Sequence, residues 1–101
     1  MIDAAESAVA FVSSRQRSDL DHDRMLLFAV VRAVEVVGEA AEKVSDDTKR
    51  SASDVPWTAI VSMRNRLIHA YFDINRDIVW KTVSEEIPAL LPSLRRLLSD
   101  G

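Results

Sequence analysis

The sequence predicts an all-α fold, an antiparallel four-helix bundle with an extra short helix and a kinked C-terminal helix, and three observations carry that prediction. Only two glycines occur in 101 residues, which leaves little turn chemistry for hairpins. No stretch alternates apolar and polar residues for long. Apolar residues recur instead at helical spacing along four segments joined by short polar connections. With no internal repeat or low-complexity segment, residues 1–101 read as a single domain.

Ile2, Ala5, Ala8, Val9 and Val12 set a first helix that ends near the polar run Ser13 to Ser18. A second helix is expected from about His22 to Val44. Asp19, Asp21 and Asp23 crowd its start, where carboxylates accept from free N–H groups and complement the helix dipole. It is apolar over most of its circumference, from Leu26 and Leu27 to Ala41 and Val44, which marks a helix that is central or shared with a second subunit. Its polar residues Arg32, Glu35, Glu39 and Glu42 fall in one stripe, either a salt-bridged exposed face or the lining of a cleft. Gly38 in mid-helix costs about 1 kcal/mol relative to Ala and suggests a close backbone approach.

Ser45 to Ser53 is polar and has room for one short helical turn. Asp54-Val55-Pro56-Trp57 opens a third helix, with Pro in its first turn, that carries Ile60, Val61, Met63, Leu67 and Ile68. The fourth begins near Asn75 and runs through Ile78, Val79, Val83, Ile87, Leu90, Leu91, Leu94 and Leu97. Pro88 and Pro92 each lack an N–H and crowd the preceding turn, so a kink or break is expected near Glu86.

Composition narrows the function. Without Cys there is no disulfide framework, thiolate nucleophile or Cys-ligated metal. The first residues carry acid where a secretory signal would carry base, and no apolar run approaches the roughly 20 residues of a membrane helix, so a cytoplasmic protein with no membrane partner is expected. A net charge of −3 argues against holding nucleic acid by bulk electrostatics. The charge is uneven, however. Residues 49–76 hold 5 basic and 2 acidic side chains, the only net-basic stretch.

That stretch contains Met63-Arg64-Asn65-Arg66-Leu67-Ile68-His69-Ala70-Tyr71-Phe72-Asp73, which gathers two Arg, an Asn, a His and the only Tyr. Arg is a permanent planar cation suited to phosphate oxygens, and His gains or loses a proton near pH 7. The pair suffices for cleavage of RNA without metal: a base takes the 2′-OH proton, an acid protonates the departing 5′ oxygen, and a cation stabilises the phosphorane. His22 and His69 are the only histidines and form no metal-ligand spacing, so neither a metal nor another cofactor is expected. In one unbroken helix Arg64 and His69 would point about 140° apart, while Asn65 and His69 would share a face. Either the helix loosens before His69, or two copies meet so that one chain's Arg joins the other's His.

Arg64-Asn65-x-x-x-His69-x-Tyr71 resembles the Arg-x4-His-x-Tyr signature of the HepT-like branch of the HEPN ribonucleases, the toxin half of bacterial and archaeal toxin–antitoxin pairs. Ala33-Val34-Glu35-Val36-Val37-Gly38-Glu39-Ala40-Ala41, Val55-Pro56-Trp57 and Ile78-Val79-Trp80-x-x-Val83 with Pro88 are similar to that family too. The resemblance implies a HEPN-type bundle that forms a homodimer. Arg64 and His69 of both subunits would line a cleft that cuts RNA without metal, oriented by Asn65; Arg66 and Arg76, in or beside the motif, are candidate RNA contacts by their charge. It also implies a type VII system, in which a nucleotidyltransferase antitoxin of the MntA type moves AMP from ATP onto Tyr71. A non-catalytic helical module that binds a nucleotide or a partner protein is the alternative, kept open by the low overall basicity.

Overall fold

The computed structural model describes residues 1–70 and 73–100; the side chains of Arg64, residues 67–70, Asp73 and residues 98–100 lie outside that description. Helix α1 (Ile2–Val12) ends where its apolar spacing stops. Ser14 then takes a φ of 63°, the left-handed conformation that commonly follows a helix, and the Arg15 N–H donates to the Val12 carbonyl at 2.9 Å.

Asp23 divides the expected second helix in two. The single turn α2 (Asp19–His22) stops at Asp23, whose backbone is extended, and α3 (Arg24–Glu42) begins immediately after it. The Asp23 carboxylate accepts from the Leu26 N–H at 3.0 Å, so it works as an N-cap, and an N-cap residue cannot itself be helical. Ser45 caps the short α4 (Asp46–Ser51) in the same way, accepting from the Thr48 N–H at 3.2 Å. Helix α5 (Trp57–Leu67) follows Pro56, and the buried Trp57 indole donates to the Ala52 carbonyl at 3.1 Å, tying its start to the end of α4.

Helix α3 is the centre of the bundle. It packs against both α1 and α5, and α1 packs in turn on the C-terminal helix. Val30, Val34, Val37 and Ala41 are at 0% exposure and share one core with Ala5, Ala8, Ile60 and Leu94. Each buried aliphatic side chain of Val or Leu size contributes roughly 1.5–3 kcal/mol relative to exposure, so α3 is where sequence apolarity becomes stability. Gly38 is buried on the same helix as Val37 and Ala41. Most of the apolar surface of α3 is therefore consumed within one chain rather than left for a second subunit, because helices flank it on two sides.

The expected fourth helix comes in three parts: α6 (Arg76–Lys81), one π-helical turn over Thr82–Glu86, and α7 (Ile87–Asp100). The break near Glu86 thus takes the form of a widened turn. Pro88 has no N–H for the Ser84 carbonyl, and a π turn relieves the ring's crowding of the preceding residues without ending the helix. The Ser84 hydroxyl donates to the Trp80 carbonyl at 2.6 Å inside that turn. Among the described residues no helix is long and apolar enough to cross a membrane.

Candidate active site

The last turn of α5 carries Arg64, Asn65 and Arg66, and the helix ends at Leu67. From there the backbone is extended as β1 (Ile68–Ala70), which pairs antiparallel with β2 (Asp73–Ile74). Ile68 lies opposite Ile74 and Ala70 opposite Asp73, with an irregularity of register between Ile68 and Ala70, which is to say at His69. Bulges of this kind bend a strand locally and re-aim its side chains, and they are over-represented next to active sites. The ribbon is too short to leave a period-2 pattern, but the β-branched Ile68 and Ile74 suit a pleated pair. Asn75 then starts α6 by accepting from the Ile78 N–H at 3.1 Å.

The helix ends before His69, as the first of the two routes to bringing Arg64 and His69 together requires. Arg64 stands on α5 and His69 on β1, so the 140° separation does not apply, and neither does the shared helical face of Asn65 and His69. Asn65 is exposed on the final turn of α5. The Arg64 and His69 side chains, and Tyr71 altogether, lie outside the described residues.

Two further cations of the basic segment, Arg66 and Arg76, have partners. The Arg66 guanidinium donates to Glu86 at 3.2 Å, joining the end of α5 to the π turn. Arg76 donates from Nε to the Leu20 carbonyl at 3.4 Å and lies 3.7 Å from Asp21. Arg17 bridges the two elements, donating to Asp77 at 2.7 Å and to Asp21 at 2.9 Å, and the hydrogen bonds to Asp77 first and Asp21 second raise its pKa above the ordinary guanidinium value. Such exposed pairs add little to stability, so a phosphate can compete for these guanidinium groups. On α3, Arg32 pairs with Glu35 at 3.3 Å and Glu39 at 3.7 Å, so that stripe is a salt-bridged face.

Sequence separation concealed one neighbour of the motif. The segment from Leu20 to Phe28 packs against Ile74 and Arg76, which puts His22, Arg24 and Phe28 at the edge of the ribbon that carries His69. Nothing in the sequence set Phe28 and Met25 apart from the other apolar residues of α3, yet 55% and 84% of their surfaces are exposed.

The Ribonuclease HepT-like family matches residues 1–97. A Thermococcus cleftensis protein named "Probable ribonuclease HepT" is 43% identical over 75 residues, which cover 74% of this chain and 68% of that one. A Methanocaldococcus jannaschii protein named "Putative RNase" is 32% identical over 90 residues, covering 89% of this chain and 83% of its own. A third, also named "Putative RNase", from Caldanaerobacter subterraneus subsp. tengcongensis is 39% identical over 80 residues, covering 79% and 71%. No solved structure matches the chain. A helical bundle whose α5 breaks into a bulged strand at the Arg-x4-His motif, with a family match over nearly its whole length, places the chain in the HepT-like ribonuclease family.

Proposed function

We propose that this protein is a metal-independent endoribonuclease, the toxin of a type VII toxin–antitoxin pair, in which Arg64 and His69 carry the chemistry. The observation that supports it most is the end of α5 at Leu67 with the strand irregularity at His69, which sets a permanent cation and a titratable imidazole on two elements that meet at one junction. In the reaction the 2′-oxygen attacks phosphorus, its proton passes to a base, and the 5′-oxygen leaves with a proton from an acid. One His69 cannot serve as base and acid at the same instant. A homodimer that brings two motifs to one cleft supplies both, while Arg64 stabilises the phosphorane charge and Asn65 orients the pair.

The experiment is incubation with total RNA in EDTA. Cleavage leaving 2′,3′-cyclic phosphate and 5′-hydroxyl ends is the expected result, and Arg64→Ala and His69→Ala each lower it by roughly 10²-fold or more with helicity unchanged. Intact RNA with the unaltered chain overturns the reading and favours the non-catalytic module.

Regulation belongs to Tyr71. Transfer of AMP from ATP onto its phenolic oxygen, with pyrophosphate leaving, would put a negative phosphate two residues from His69, where it repels the RNA backbone. Tyr71→Phe keeps the ring and removes the acceptor oxygen. That variant is expected to cut RNA yet escape neutralisation by an MntA-type nucleotidyltransferase, and mass spectrometry locating the adduct elsewhere removes Tyr71 from the mechanism.

A further inference from the structure

We propose that the cleft between the α2–α3 junction and the β2–α6 junction is a subsite for one nucleotide of single-stranded RNA, with the base stacked on Phe28 and a phosphate held by Arg24 and Arg76. The inference rests on the ribonuclease reading and names where its substrate strand continues beyond the cut.

The cleft has a volume of about 400 Å³ and is lined by His22, Arg24, Leu27, Phe28, Ile74 and Arg76, together with Leu20 and Asp21. Small-ligand sites run from about 300 to 1,000 Å³, so one nucleotide is the right order of size. Its chemistry matches a nucleotide on both counts. Phe28 keeps 55% of its surface exposed although its neighbour Leu27 is at 3%, so an aromatic side chain stands partly in water at the rim. Arg24 is exposed and makes no ion pair among the described residues. Asp21 is the one carboxylate in the lining, and it is already engaged by Arg17 at 2.9 Å, with Arg76 at 3.7 Å. The site is also continuous with the motif, because Ile74 in its wall is the cross-strand partner of Ile68, the residue before His69. Bases stack on aromatic side chains irrespective of sequence, and Arg supplies the backbone contact, which is how single strands are held without base-edge readout.

The test uses a fluorescent 2′-O-methyl oligoribonucleotide, which lacks the attacking hydroxyl and cannot be cut, with binding followed by anisotropy in EDTA. Phe28→Leu preserves apolar bulk and removes the ring; it is expected to weaken binding roughly tenfold, while Phe28→Trp retains it. Arg24→Gln is expected to weaken binding and to flatten the slope of log K against log salt by about 0.7, the share of one phosphate on a single strand. With cleavable RNA both variants raise KM and leave kcat near its original value. Unchanged affinity in Phe28→Leu and Arg24→Gln overturns the subsite, as does absence of binding by the unaltered chain. Loss of binding that tracks a fall in oligomer mass by light scattering assigns Phe28 to a protein contact and also overturns it. Free 5′-nucleotides displacing the oligonucleotide at equal concentration would overturn it in favour of a small-nucleotide site. If the uncut oligonucleotide responds to these substitutions while cleavable RNA stays intact, the subsite stands and the ribonuclease reading falls.

Discussion

Asp23 and Ser14 show how single residues set the chain's path. Asp23 ends one helix and caps the next through its hydrogen bond from the Leu26 N–H. Asp23→Ala is expected to cost about 1 kcal/mol, which lowers Tm by roughly 4–8 °C in a domain of this size, as thermal circular dichroism would read. Ser14 holds a φ of 63° with a side chain, where glycine carries no steric penalty. Ser14→Gly is therefore expected to raise Tm by a few degrees, and Ser14→Val to lower it, since a β-branched residue tolerates that conformation worst.

Helices α3, α5 and α7 decide how firmly the motif is held. Ile60 is fully buried on α5, one turn before Arg64. Ile60→Ala is expected to cost about 2–5 kcal/mol by cavity formation, a large part of the stability of so small a domain, and urea titration would show it as a lower midpoint. By contrast, Glu86→Gln breaks the exposed pair with Arg66 and should change stability by no more than about 1 kcal/mol. Pro92 lies inside α7 with an exposed side chain. Pro92→Ala restores the helical N–H that Pro lacks, and a rise in Tm is expected, smaller than the roughly 3 kcal/mol helix penalty of Pro because the unfolded chain also gains freedom.

Across the whole molecule, charge and apolar surface are unevenly distributed. The Cα trace measures 42 × 29 × 16 Å, so helices form a flattened bundle in which α3 is flanked rather than wrapped. Its exposed large apolar residues, among those described, are Phe11, Met25 and Phe28. A mass of twice the 11.3 kDa chain by light scattering is the expected outcome for the homodimer, and a monomeric mass at micromolar concentration counts against it. The interface cannot be the main apolar face of α3, which α1 and α5 already cover.

The amino-acid sequence alone was enough for the helical class, the positions of α1, α4 and α5, the break before Pro88 and the Arg-x4-His-x-Tyr motif. All of these rest on local causes: apolar spacing, capping side chains, and a proline that cannot donate a hydrogen bond. Tertiary structure decided the rest. That α5 yields to a bulged strand at His69 depends on Ile68 meeting Ile74, and five residues of helical periodicity carry no mark of it. That α3 is filled from both sides within one chain depends on which helices lie next to it, which an apolar circumference leaves open between a neighbouring helix and a second subunit. That His22, Arg24 and Phe28 stand beside Ile74 and Arg76 depends on chain folding over about fifty residues, a separation at which spacing in the sequence carries no geometric information.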